Sequence, residues 1–456
     1  MSLEIWQWIL LVCFSSSLLI AAPRARAASV FFRANNHKGE APGPWLVTSS
    51  LVIGWIMAKS ITNAANLGLK FGLLGGFTYA LYYLSFLIAG LVIYDLRTRG
   101  HFASIHEFLR SKFGRTSVQL FSLLIAFRLF NEVWSNTMII GQYFGAPGSG
   151  SYYLSIAVFT GLTLLYSLKG GLRSSLITDS IQFLLFGLLL FTILGFLLQD
   201  QGTVDRIVHP VVQRDSSGWN LLFVVLIQIL SYPFHDPVLT DRGFISTPKH
   251  TLVSYSWAAV VGFLCILLFS VVGIYAQSQG LVGDATREVG KSLGFGLTLI
   301  FNLIMLTSAG STLDSTFSSF SKLIVFDLGW IKNRGIKQGQ LAMIGATLLG
   351  TVPIFLNPAI LDATTISGTM VLGLAPIFLL WRMKVKRSAF LATVGTGLFF
   401  GLAHTFKWFP AEWILFDGEY GDLLTFNLIS TVTCFLVYFA HLDTENESTV
   451  NSVTEP

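Results

Sequence analysis

Trp55-Ile56-Met57-Ala58-Lys59-Ser60-Ile61-Thr62-Asn63-Ala64-Ala65-Asn66-Leu67-Gly68 lies inside an apolar segment long enough to cross a bilayer, yet it carries a lysine, two asparagines, a serine and a threonine. Polar and charged groups at membrane depth are costly, so they face a cavity or a partner and mark function. Ser, Thr and Asn also serve as plain interhelical glue. Lys59, near mid-span, fits that bland role least.

The rest of the chain has the same solvent. Of its 456 residues 53% are hydrophobic and only 12% charged, where a soluble chain is nearer a quarter charged. The fold class is all-α, a polytopic membrane protein of about 13 transmembrane helices. A span takes about 20 apolar residues, and the candidates are roughly 5–22, 45–69, 74–94, 117–142, 152–168, 176–198, 219–240, 253–277, 293–326, 340–356, 363–381, 388–405 and 422–440. The first follows an acidic start and precedes Arg24 and Arg26, the wrong order for a signal peptide, so it reads as a membrane helix. Of the 29 Lys and Arg residues, 20 fall in one alternating set of loops, Arg242 among them, and 6 in the other. The positive-inside rule then puts the N-terminus outside and the C-terminus in the cytoplasm. The membrane is of the bacterial inner or plasma type. The acidic stretch 441–456 reads as a disordered cytosolic tail.

Several functions are excluded early. Cys13, Cys265 and Cys434 all sit in apolar runs and offer no disulfide framework or metal spacing. No loop is long enough for a soluble domain, and no GxxxxGK[ST] phosphate loop is present, so ATP is not the energy source. The net charge of +5 lies mostly in the loops of one side and is no nucleic-acid signal.

Three further spans carry polar groups. In the seventh, Ser231-Tyr232-Pro233-Phe234-His235-Asp236-Pro237 sets two prolines around a His-Asp pair, so the helix kinks or unwinds there. Freed backbone at membrane depth survives only against protein or a wet cavity. His235 and Asp236 are then candidates for solute contact or proton handling, or simply wet residues at the cytosolic end. In the ninth, Ser308, Ser311, Thr312, Ser315, Ser319 and Lys322 form one helical stripe. Its hydroxyls suit a small hard cation and equally suit helix packing. Lys322 is expected to snorkel to the cytosolic interface, and Lys59 is one possible partner for Asp314. In the fourth, Arg128 and Glu132 are i, i+4 neighbours and are read as a pair within the helix. At the start of the sixth, Lys169-Gly170-Gly171-Leu172-Arg173 makes a tight cytosolic turn, with Asp179 in the first turns of the helix that follows.

Together these stretches resemble the sodium/solute symporter family. Gly170-Gly171-Leu172-Arg173 followed by Thr178-Asp179-Ser180-Ile181-Gln182 looks like its signature, and Ser311-Thr312-Leu313-Asp314-Ser315 through Phe326-Asp327 like its small-residue helix ending in Asp. Ile105-His106-Glu107-Phe108-Leu109-Arg110 matches a family loop. Trp55, Ala58, Asn66, Lys70-Phe71-Gly72 and Gly75 are most similar to the urea-transporter branch.

The resemblance implies a LeuT-type core of two inverted five-helix repeats, each with a broken first helix. The core would be 45–381, with repeats at about 45–198 and 219–381. It follows an extra transmembrane helix and cytosolic loop (1–44) and precedes two C-terminal transmembrane helices (382–440) and the tail. By position, the family's sodium site falls on Ile56, Lys59, Ser308, Ser311 and Thr312. Trp55, Ser60, Asn63, Tyr232, His235 and Asp236 are the expected solute-facing residues, and Asp179 lies at the inner exit. The implied activity is a cation-coupled symport of a small polar organic solute by alternating access, with Na+ or H+ as coupling ion and no other cofactor. The partners are that solute and the lipid bilayer, with no nucleic acid.

Lys59 departs from the family, which has a neutral residue there. An inward-turned ammonium would repel a bound cation by roughly 4 kcal/mol at 4 Å and an effective dielectric of 20, about a thousandfold in affinity. Sodium-independent or proton-coupled transport is the corresponding expectation. Two other classes remain open: a non-transporting solute sensor, supported only by the acidic tail, and an intramembrane enzyme using His235 and Asp236. No enzymatic activity is expected.

Overall fold

Two stretches of non-helical backbone at membrane depth organise the molecule. The computed structural model describes residues 2–210, 216–329, 331–356 and 368–443. Arg214, the first five residues of the 363–381 span and the tail from 444 lie outside the described residues. Apart from connecting turns and one isolated β-bridge between Val385 and Leu442, the described residues form helices: α1 (Leu3–Ala21), α2 (Ala28–Arg33), α3 (Pro44–Trp55), α4 (Ala58–Ala80), α5 (Ser85–Thr98), α6 (Ile105–Phe113), α7 (Arg115–Phe144), α8 (Gly150–Leu197), α9 (Gln201–Val208), α10 (Ser217–Gln228), α11 (Pro237–Arg242), α12 (Pro248–Phe269), α13 (Val271–Ser278), α14 (Ala285–Ser292), α15 (Phe295–Lys322), α16 (Ile336–Thr351), α17 (Leu374–Leu379), α18 (Ala389–Thr405) and α19 (Gly421–Ala440).

The first break separates α3 from α4. Ile56 (φ −76°, ψ 67°) and Met57 (φ −70°, ψ 153°) leave the helix, so the interruption falls three residues before Lys59. The freed carbonyls find side chains: Tyr83 donates to Trp55 O at 2.7 Å, and Thr312 reaches Gly54 O at 3.5 Å. The second break runs from Ile229 to Asp236, between α10 and α11. Pro233 and Pro237 impose it, with a single 3₁₀ turn at Tyr232–His235 and Asp236 capping α11 through Leu239 N–H at 3.3 Å.

Among the described residues, seven helical stretches are long and apolar enough to cross a membrane, and three shorter apolar helices include α3 and α10. The break in each of two expected spans explains those short pieces. Two of the long stretches fold back on themselves. A straight helix of 48 residues would be about 72 Å long, more than twice the hydrocarbon thickness of about 30 Å. α8 instead turns sharply at Gly171, where φ is +57° and ψ −140°. Only glycine adopts that backbone without strain, and Phe31 of α2 fills the space where a Cβ would stand. The core runs between α3, α8, α15 and the broken segments, and it holds many buried hydroxyls as well as apolar side chains.

Candidate functional site

The breaks bring two sets of ionisable side chains together inside the protein. The first set follows α7. Lys59 points from α4 to α7, where its ammonium donates to Glu132 Oε1 at 2.8 Å and Asn131 Oδ1 at 3.0 Å. Glu132 also pairs with Arg128 one turn earlier. Arg128 Nη2 continues to Asp236 Oδ2 at 2.9 Å, and the Trp55 indole N–H donates to the same oxygen at 2.9 Å. The result is a chain of alternating charge, Lys59–Glu132–Arg128–Asp236, each member 4% exposed or less. The Arg128–Glu132 pair expected within one helix is present, but it is the middle of a network that spans both breaks.

A cavity of about 30 Å³ adjoins this chain, lined by Lys59, Arg128, Ser60 and the rings of Trp55, Tyr79, Tyr82, Tyr83 and Tyr232. Asn63 donates to the Tyr79 hydroxyl at 3.2 Å and Tyr82 to Gln228 at 2.6 Å, which holds the rings in place. The Arg128 guanidinium lies 5.3 Å from the Tyr232 ring centroid, within cation–π range. Of the expected solute-facing residues, Trp55, Ser60 and Tyr232 therefore share one wall, with Asn63 behind it. Asp236 holds Trp55 and Arg128. His235 turns to a second cavity of about 340 Å³ on the other side of Arg128. His235 and Asp236 are each 2% exposed, so neither is wet at the cytosolic end of the span.

The second set lies between α3, α8, α11 and α15. Asp179 accepts hydrogen bonds from Ser50 and Ser311. Asp314 accepts from Ser175 at 2.7 Å and Thr178 at 2.9 Å. Ser175 also reaches Asp179 at 3.3 Å, so one hydroxyl bridges the two carboxylates. The only cation bonded to this set among the described residues is Arg242. Its guanidinium donates to Ser50 at 2.7 Å, Ser315 at 2.6 Å and Val238 O at 2.7 Å, and contacts Asp179 at 3.3 Å. All three ionisable groups are fully buried.

Several expectations are corrected here. Lys59 does not meet Asp314, because α4 projects it toward α7 rather than α15. Its ammonium is committed to Glu132 and is not on the Ser308, Ser311 and Thr312 stripe. Lys322 does not snorkel free; it pairs with Asp241 and, at 3.4 Å, Asp327. Arg242 is no loop residue, since the short helix after Pro237 carries it back into the protein. Sequence reasoning missed its role. The available signal was an imbalance: Asp179 and Asp314 both lie in spans, and Lys59 is the one cation the sequence reading set against either of them.

The candidate cation ligands are in part assembled. Thr312 donates to Ser308 O at 2.9 Å and faces Gly54 O, and Ser311 joins Asp179. The Ser308 hydroxyl is buried without a partner. The Ile56 carbonyl receives no backbone N–H among the described residues.

Beyond these clusters, α6 is fixed to its neighbours. Lys112 donates to Met383 O at 2.8 Å and to Trp381 O, and His106 lies 3.6 Å from Asp327. Burial lowers the Lys112 pKa to about 8 and also pulls His106 below its ordinary value.

No protein-family model matches the chain. Among curated proteins, it is similar to sodium/glucose cotransporter 1 of Mus musculus, 23% identical over 185 residues, covering 38% of this chain and 27% of the relative. It is also similar to solute carrier family 5 member 4B of Mus musculus, 25% identical over 326 residues, covering 59% and 49%. The matched segments thus span from about a quarter to a half of these relatives' length. Among solved structures, a Na+-coupled sialic acid symporter in a substrate-bound outward-open state superposes with a TM-score of 0.68 at 16% identity, covering 96% of this chain and 98% of that one. A nucleobase-cation-symport-1 family transporter gives 0.53 at 10% identity, covering 92% and 94%. These likenesses show a LeuT-type transporter fold. The relatives and the structural neighbours are transporters, not enzymes.

Proposed function

We propose that this chain is a cation-coupled symporter of the sodium/solute type, carrying a small polar organic solute across a bacterial inner or plasma membrane by alternating access. The N-terminus is outside and the C-terminus cytoplasmic, by the Lys and Arg asymmetry of the loops. The core is 45–381, with repeats at about 45–198 and 219–381. The likeness of the first core helix points to urea as a solute, and the relatives' names to a sugar.

The observation that carries the reading is the charge count of the inner cluster. Asp179 and Asp314 are fully buried against the single cation Arg242, and a buried uncompensated charge costs several kcal/mol. A bound cation removes the excess. Oxygen donors from carboxylates, hydroxyls and carbonyls suit a small hard ion. Carried over by position from the family resemblance, Ser311 and Thr312 with the carbonyls of Ser308, Ile56 and Lys59 are the proposed ligands, and Asp179, which accepts from Ser311, is the acid proposed at the inner exit. Lys59 supplies only its carbonyl, because its ammonium is neutralised by Glu132. This favours coupling to sodium; a proton on either buried carboxyl would remove the same excess charge and is the competing occupant.

The test is the melting temperature of the purified protein against sodium concentration at constant ionic strength, repeated across pH. A ligand that binds only the folded state stabilises it by RT ln(1 + [L]/Kd), about 2.7 kcal/mol at a hundredfold excess over Kd. A saturable rise with sodium is the expected result. A curve flat in sodium at every pH overturns sodium coupling, and a rise with acid alone transfers the role to the proton.

A further inference from the structure

The larger cavity, about 340 Å³ between α7, the second break and the end of α16, contains two buried polar atoms with nothing to bond. Among the described residues, Arg128 Nε and His235 Nε2 have no hydrogen-bond partner, although both side chains line the cavity. The two atoms are complementary. Arg128 Nε carries a hydrogen and can only donate. His235 Nδ1 sits 2.6 Å from Tyr232 O. A carbonyl only accepts, so the proton is on Nδ1 and Nε2 of the neutral ring is a bare acceptor. Asn131 adds a second donor, since its oxygen is occupied by Lys59 and its amide N–H groups remain. Buried groups of this kind are costly while unmatched and selective once matched.

Among the described residues, the charge around the cavity is already settled. Arg128 answers to Glu132 and Asp236, and Lys59 to Glu132: two cations, two anions. A charged solute would bring an uncompensated charge into a site with none to offer it. The remaining described wall is largely apolar, from Phe130, Trp134 and Leu349 among others. The volume lies at the low end of the roughly 300–1,000 Å³ of small-ligand sites.

We propose that this cavity binds an uncharged solute carrying an adjacent acceptor and donor, as in a carboxamide or a pair of hydroxyls. The acceptor takes the Arg128 Nε hydrogen and the donor gives to His235 Nε2. This rests on the symporter reading and adds the solute's charge class and the two side chains that read it. Arg128 also lines the smaller cavity, so a solute held there touches the side chain that joins the two cavities.

The experiment measures the melting temperature of the full chain in sodium with five probes, each titrated to 100 mM. Urea, acetamide and D-glucose are uncharged; acetate and tetramethylammonium are not. At least one uncharged probe is expected to raise the melting temperature saturably, and neither ion to do so. His235→Phe keeps the ring shape without the acceptor and is expected to weaken that probe about tenfold or more. Leu349→Trp, at a position 58% exposed, fills the cavity from its rim and gives the same loss should His235→Phe fail to fold. A shift by acetate or tetramethylammonium overturns the proposal. So does silence from all three uncharged probes, or an uncharged probe that binds both variants unchanged. Sodium-driven uptake into proteoliposomes separates the two readings. A probe that binds at this cavity but is not accumulated removes the symporter reading alone. Accumulation of an ion instead removes this inference alone.

Discussion

The two buried charge clusters differ in balance. Lys59–Glu132–Arg128–Asp236 holds two cations and two anions, threaded between both helix breaks and beside both cavities. Asp179–Asp314–Arg242 holds two carboxylates against one guanidinium, packed among hydroxyls between α3, α8, α11 and α15. The balanced cluster has no charge to give a ligand, so it can shape a site and tie moving helices together without attracting an ion. The other cluster is one positive charge short. The proposed division of labour rests on that count: solute at the neutral network, cation at the deficient one.

The largest effect that could break this comparison lies in the balanced network. Glu132→Gln leaves Lys59 and Arg128 with only Asp236 between them. Removing one partner of a buried pair costs about 3–5 kcal/mol, and the purified variant should lose that much in a denaturation experiment. Adding Lys59→Met restores the balance and should recover most of the loss, as a double-mutant cycle would show. A Glu132→Gln cost below about 1 kcal/mol would mean that water reaches the network and the charges are not a closed set.

The deficient cluster should answer in the opposite sense. Asp314→Asn removes the surplus charge and keeps the shape, so in sodium-free buffer the variant should melt no lower than wild type. In saturating sodium, wild type should gain the roughly 2.7 kcal/mol expected at a hundredfold excess over Kd, and the variant none of it. Parallel sodium curves for the two proteins would place the coupling ion elsewhere.

How much of this could be read from the sequence depended on whether a signal was local. The break near Pro233 was legible because proline acts on its own turn, and the polar run from Lys59 to Asn66 marked the other break to within three residues. The pair Arg128–Glu132 was legible from its i, i+4 spacing. Partners across helices were not. Lys59 and Asp314 looked like natural partners as isolated charges in spans, yet which neighbour a side chain meets depends on the rotation of each helix about its axis. No single-sequence pattern carries that angle. Arg242 was lost for a different reason: directly after Asp241 at the end of an apolar run, it looked like an interfacial residue. Only the six-residue helix α11, started by Pro237 and capped by Asp236, turns it inward to Asp179.

Lys112 supplies the limiting case, a half-buried cation with no carboxylate partner among the described residues. Its ammonium donates to the carbonyls of Trp381 and Met383 at the end of α17, outside the membrane, and burial holds its pKa at about 8 against an ordinary 10.5. Between those two values the unfolded chain binds more protons than the folded one, so stability should rise with pH across that window, and the cost of burying the charge is fully present below it. Water screens a half-exposed group, so the gain should stay under about 1 kcal/mol. Cysteines and tyrosines titrate in the same range, which is why the measurement is a difference: melting temperature from pH 7.5 to 10 for wild type minus that for Lys112→Met. A positive slope in the difference would show that a cation without an anion is tolerated here only because solvent is near, which is the condition both membrane clusters lack. Parallel curves would mean that the two carbonyls compensate the ammonium in full, and a lone cation would then need no counter-charge even when partly desolvated. The surplus carboxylate at Asp314 would in that case be a weaker argument for a bound ion.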